Sequence, residues 1–196
     1  DSQQHFKIKT DTVSPHNNLA FVNSPVNSTF REYTKFLGDK RQEVEKLRKS
    51  IKELKEDIDG DHSAEISMLE ARLKDVDRQV RDYQENIVDK YPESMLAVLI
   101  KLQWEPVHPY DLTTGKREDS IAAFTYTREH YWDHIDLSDE RIVRTPIFHE
   151  KLKTFMTVLV LQHPDSVIME GERIISQTVS SPDLYRFVVW YIVNMT

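Results

Sequence analysis

The sequence contains no cysteine, and that absence alone removes disulfides, thiolate metal ligation and thiol catalysis from this chain. Glycine is scarce, with four in 196 residues. Glycine supplies the left-handed positions of tight hairpins, so its scarcity argues against a turn-rich all-β protein. Basic residues are not in excess. The chain has 26 Lys+Arg against 33 Asp+Glu, and a formal net charge of −7 offers no electrostatic footprint for nucleic acid or an anionic membrane. The longest unbroken apolar run, Phe187 to Val193, is seven residues, whereas a membrane-spanning helix needs about 20. The chain opens on polar Asp1-Ser2-Gln3-Gln4 rather than on a signal peptide, so the expectation is an export signal that was removed or never present.

What is present is mostly helical. Phe6-Lys7-Ile8-Lys9-Thr10 alternates apolar and polar, and Leu19-Ala20-Phe21-Val22 is a second β-prone run. The turn-forming Ser14-Pro15-His16-Asn17-Asn18 separates them. Two short strands make a poor independent structure. Residues 1–25 therefore read as the edge of a larger β unit or as a ribbon packed on the helices.

Residues 26–90 carry a different period. Phe30, Tyr33, Leu37, Val44, Leu47, Ile51, Leu54 and Ile58 are spaced by threes and fours, with Lys40 where an apolar residue is expected. Asp59-Gly60-Asp61 should stop that helix, Gly60 being suited to the left-handed position and Ser63 to capping the next helix. Ile66, Leu69, Leu73, Val76, Val80, Tyr83 and Ile87 form a second, unbroken seam. Two such helices joined by a short loop predict a long antiparallel, coiled-coil-like hairpin. Glu45/Lys49, Glu70/Lys74 and Asp77/Arg81 stand acid-first at four-residue spacing, as expected of a solvated outer face.

Residues 91–196 read as a compact multi-helix domain. Met95, Leu96, Leu99, Ile100 and Leu102 predict a short buried helix ended by Trp104-Glu105-Pro106. A loop to about Arg117 and a helix carrying Ile121, Phe124, Tyr131, Trp132 and Ile135 should follow. Ser138 can cap a short turn over 139–143. Thr145-Pro146 then opens a helix whose core stripe is Phe148, Leu152, Phe155, Met156 and Leu159. His163-Pro164 and Ser181-Pro182 mark two more helix starts. The last helix reaches Thr196 without a stop signal, from which a longer natural chain is expected.

No catalytic set stands out. His130 and His134 are four apart with Glu129 adjacent, a spacing that can share a metal, but Tyr131 stands where a metalloprotease has glutamate. His149-Glu150 is followed by Lys153 and Thr154 instead of a second histidine. Structural or surface histidines are the favoured reading. Asp133, Asp136, Asp139 and Glu140 beside Arg141 and Arg144 could hold an acid pair for glycoside hydrolysis. Helix caps and ion pairs explain them more simply. Trp104, Tyr110, Tyr126, Tyr131, Trp132 and Trp190 could line a groove, yet aromatics at helical spacing are more often core. No Gly-x-Ser-x-Gly, phosphate-binding Gly-rich loop or dinucleotide fingerprint occurs.

Several blocks carry a family resemblance: Tyr91-Pro92-Glu93-Ser94-Met95-Leu96-Ala97, the stretch His130 to Arg141, Arg144-Thr145-Pro146-Ile147-Phe148, Gln162-His163-Pro164-Asp165-Ser166 and Phe187-Val188-Val189-Trp190. Together they resemble the helical domain of unknown function that precedes a thioredoxin-like domain in envelope proteins of Gram-negative anaerobes. Phe6 to Asp11 and Phe21 to Pro25 resemble the tail of the small β domain before it. The resemblance implies an exported parent, often a lipoprotein, whose Cys-x-x-Cys pair lies in the thioredoxin-like domain. No redox residue transfers to this cysteine-free chain.

The expectation is therefore a non-catalytic accessory or interaction domain that positions the redox domain or engages a client or second protomer. It would sit in the periplasm or cell envelope, with no cofactor and no metal. The alternative is a stand-alone coiled-coil adaptor or dimerisation module. A metal-dependent hydrolase using His130, His134 and an acid, and a glycan binder using the loop aromatics, are weaker readings.

Overall fold

A two-helix seam must bury its apolar rows against each other, and the rows on both predicted helices do so. The computed structural model describes residues 7–13, 19–57 and 60–195. It is 72% helical, so the mostly-α class holds, with one short antiparallel ribbon at the N-terminus. The chain divides into two units, Asp1–Leu96 and Ala97–Thr196.

In the first unit, β1 (Lys7–Lys9) pairs with β2 (Ala20–Val22) in the register Lys7↔Val22, Ile8↔Phe21, Lys9↔Ala20. The strands thus find each other within the chain. Phe6 and the Ser14–Asn18 turn lie outside the described residues. Asn23, at φ 65°, makes the left-handed turn out of β2 that asparagine tolerates. The helix α1 (Pro25–Glu56) then starts with proline in its first turn. The Ser28 hydroxyl donates to Ser24 O at 3.1 Å and Phe21 O at 3.4 Å, which ties the ribbon to the helix.

Helix α2 (Ser63–Lys90) returns antiparallel to α1. The register is visible in cross-pairs. Gln84 donates to the Tyr33 hydroxyl at 2.7 Å, Phe36 stacks on Tyr83 at 4.4 Å, and Lys40 reaches Gln79 Oε1 at 2.6 Å. Further along, Arg72 grips Glu43 and Lys55 meets Glu70. Tyr33, Ile51, Val76 and Ile87 are buried, and the other second-seam residues are half-buried, as two helices alone can manage. Phe30 does not join the first seam; it is exposed, which leaves Tyr33 as its first member. Ile58 lies outside the described residues.

The loop and the surface differ from expectation. The described glycine with positive φ is Gly115; the left-handed turn expected at Gly60 depends on Asp59, which lies outside the described residues. A Cβ at Gly60 would meet the His62 imidazole, which lies 2.9 Å from Asp57 Oδ2 and would have to turn away. Ser63 is the first helical residue instead of the cap, and its N–H donates to Asp61 Oδ1 at 3.1 Å. Hydrogen bonds from Ser63 hold the Asp61 carboxyl below the usual range. Among the expected acid-first pairs, Glu45 turns back to Arg41, Lys49 to Glu53, and Glu70 crosses to Lys55. Only Glu70 leaves its helix for a partner; Glu45 and Lys49 keep four-residue spacing with other partners on α1.

The second unit holds α3 (Met95–Gln103), whose first turn straddles the division, α4 (Arg117–Glu129), α5 (Pro146–Thr154), α6 (Pro164–Thr178) and α7 (Pro182–Met195). A single core contains Phe148, Leu152, Phe155, Met156, Ile174, Leu184, Val188 and Tyr191. Thr145 caps α5 by accepting from Phe148 N at 3.3 Å, with Pro146 as its first residue, as the sequence predicts. The stripe does not stay α-helical. Phe155–Leu159 is a π-helical turn closed by Val160 N to Phe155 O at 2.9 Å. The wider turn leaves Phe155, Met156, Leu159 and Val160 all buried.

Helix α4 is shorter than its predicted pattern and turns a different face inward. It ends at Glu129, Ala123 is its buried residue, and Ile121 and Phe124 are exposed. Tyr131 and Trp132 reach the core from the following turn. Ser138 is not a cap. Its N–H and hydroxyl both donate to Asp136 Oδ1, and the helical turn after it covers Ile142–Arg144.

Candidate functional site

The residue types that suggested chemistry are separated by the fold. His130 closes α4, with Nδ1 2.6 Å from Asp133 Oδ2 and its ring 4.1 Å from Tyr126. His134 meets the edge of Trp104 at 5.3 Å. The two histidines do not lie on one helix face, because α4 has already ended. Among the described residues, no three His, Asp or Glu gather in a way that could hold a metal. His149 packs edge-on to Phe187 and Tyr191, at 5.9 and 5.5 Å.

The acids are engaged in local structure. Asp139 accepts from Arg141 Nε at 2.9 Å and Nη2 at 2.7 Å, and those bonds hold its carboxyl below the usual range. Asp136 forms the turn to Ser138. A hollow of about 420 Å³ lies nearby, with Trp132, Asp136, Ser138 and Arg173 among its lining residues. Arg173 pairs with Glu170 at 2.8 Å and Asp133 with His130 at 2.6 Å, so these charged groups of the hollow have protein partners.

Among the aromatics, Tyr131 and Trp132 are core and Trp104 is half-buried. Two depart from the core expectation: Tyr110 is exposed beside Tyr126, and Trp190 is 55% exposed on α7. Val189, Trp190 and Val193 fall within roughly a 100° arc of α7. Val193 is exposed and Val189 half-buried, so that arc is an apolar surface.

The most perturbed ionisable pair involves a residue that composition and motif left unremarked. Lys151 lies on α5 three residues after Phe148, on the face that carries the core stripe, and is buried. Its Nζ donates to Trp104 O at 2.9 Å, just beyond the end of α3. There it satisfies a carbonyl that the ending helix leaves open. The same Nζ stands 4.3 Å from the centre of the Tyr131 ring. The Tyr131 hydroxyl returns a bond to Lys151 O at 3.3 Å.

Burial pulls the Lys151 amine down to about 8, against the opposing charge of Glu105. Burial, reinforced by the same Glu105 charge, pushes the Tyr131 phenol up to about 12. Both groups border a cleft of about 540 Å³ whose lining includes Leu102, Glu105, Ile147 and Glu150. The helical-wheel position of Lys151 among Phe148, Leu152 and Phe155 is the one sequence signal that points to it.

Comparison with known protein families gives a match to part of the chain. The family of a domain of unknown function, DUF5106, matches residues 116–194, which run from the start of α4 into the last turn of α7. That family is what this part of the chain is similar to. No curated protein and no solved structure matches the chain.

Proposed function

We propose that the chain is a non-catalytic helical interaction domain of an envelope thioredoxin-like protein, where it positions the redox domain or engages a partner. The observation that carries this reading is the exposed apolar arc of α7, with Trp190 55% exposed and Val193 75% exposed. A large aromatic left in water beside aliphatic neighbours fits a surface made to be covered. The redox context comes from the sequence blocks that resemble domains preceding thioredoxin-like modules. Periplasmic or envelope location and lipid anchoring of the parent belong to the same proposal. Thiol–disulfide exchange needs a thiolate, so in this reading the parent supplies it from another domain.

The test is the intact mass of the native protein from its source cells, alkylated before and after reduction. A mass well above 23.1 kDa with a reducible cysteine pair is expected. A native mass equal to this chain, without thiol, overturns the proposal. The stand-alone adaptor then leads, and it draws on Phe30 and Met68, which are exposed on the hairpin. Light scattering separates the two further, since a monomer at all concentrations counts against self-association.

A further inference from the structure

Buried amines are ordinarily matched by a carboxylate. Lys151 is 7% exposed, yet among the described residues its Nζ has a single hydrogen bond, to Trp104 O, and no carboxylate within ion-pair distance. One acceptor occupies one of the three N–H groups of an ammonium. The Tyr131 ring supplies the remaining contact, at 4.3 Å.

The cleft beside this amine has a distinct chemistry. Leu102, Pro146, Ile147 and the Tyr131 ring give it an apolar lining, and Glu105 and Glu150 add two carboxylates. Glu150 is paired with Lys153 at 3.8 Å and Glu105 opposes the amine, so the cleft carries no net charge that would favour an ion. The apolar lining favours a ligand with an apolar body. A neutral molecule with one electrophilic carbonyl satisfies both conditions.

We propose that this cleft binds small neutral aldehydes with an apolar body and holds them as an imine on Lys151 Nζ. The proposal is independent of the role assigned to α7. In the step, the unprotonated amine attacks the carbonyl carbon, and the carbonyl oxygen takes up a proton. The amine loses its protons as the C–N bond becomes double, and the oxygen departs as water. Nothing is oxidised or reduced.

The titratable groups facing the amine are Glu105 beyond α3, Tyr131 in the turn after α4, and Glu150 on α5. An amine held near 8 is about one-tenth unprotonated at pH 7, roughly 300-fold more than an ordinary lysine. Lower basicity also weakens the nucleophile, which reduces the rate advantage below that ratio.

The experiment treats the full chain with benzaldehyde and cyanoborohydride at pH 7 and maps the modified lysines by peptide mass spectrometry. Lys151 is expected to be alkylated at least tenfold faster than exposed Lys49. Gln103→Trp fills the cleft from an exposed rim position and leaves the amine in place. That variant should cut Lys151 labelling at least tenfold and leave Lys49 unchanged. Labelling of Lys151 no faster than of Lys49 overturns the proposal. So does Gln103→Trp with undiminished Lys151 labelling, because a merely accessible amine would ignore the filled cleft.

Discussion

Replacing Lys151 by methionine should change how stability depends on pH far more than it changes stability at neutral pH. The unfolded amine titrates near 10.5 and the folded one near 8. Between those values the unfolded chain binds the proton and the folded chain does not, so stability rises with pH. Below 8 both states are protonated, and the folded state carries the full cost of a buried cation. From pH 8 to pH 10 the linkage integral for these two values is about 2 kcal/mol, an upper bound for an amine that borders a cleft. Tyr131 acts in the opposite sense, since its raised value near 12 costs stability as pH climbs past the unfolded value of 10. The informative window therefore closes near pH 10.

In Lys151→Met the hydrogen bond to Trp104 O and the ring contact disappear, a loss of about 2 kcal/mol that the removed burial cost largely offsets at pH 7. The two proteins should unfold within about 1 kcal/mol of each other at pH 7. Wild type should gain up to about 2.5 kcal/mol over the variant between pH 7 and pH 10. Urea unfolding followed by far-UV circular dichroism at both pH values measures this difference. Parallel pH trends in the two proteins would refute the account of Lys151 as a buried cation.

Phe148→Ala removes a fully buried ring from the centre of the second unit. It should cost about 3–5 kcal/mol in denaturant unfolding, and a loss under about 1 kcal/mol would mean the core is not packed as described. Lys40→Leu replaces the half-buried seam lysine that bonds Gln79 and Glu43. The hairpin should melt higher but lose its single register, seen as new species in light scattering. The pair Trp190→Ser and Val193→Ser alters exposed positions and should shift unfolding by no more than about 0.5 kcal/mol, so a large loss would place that face in the core. Zinc added to the chain should leave its thermal midpoint unchanged, because His130 and His134 engage Asp133 and Trp104 separately.

The elements legible in advance were those written by a short period. The two seams define α1 and α2 because threes and fours can face only one direction on a helix. Thr145-Pro146, Pro164 and Pro182 mark helix starts because proline tolerates the first turn and little else. The errors share a cause as well. The apolar pattern through Ile121, Phe124, Tyr131 and Trp132 reads as one helix, but the chain leaves α4 at Glu129 and inserts the last two residues from a turn. Ser63 looks like the cap of α2, and the structure makes it the first helical residue, its N–H donating to Asp61.

Local sequence thus determined the class, the hairpin and the proline-marked helix starts, because propensity, capping and periodicity act over a few residues. Tertiary structure alone decided where Lys151 finds its acceptor, at Trp104, and which ring lies against it. It also decided that the stripe after Thr154 widens into a π turn and that Trp190 faces solvent. Burial, and the charge behaviour that follows from it, depends on which distant segments close over a side chain. No spacing within a helix encodes that closure.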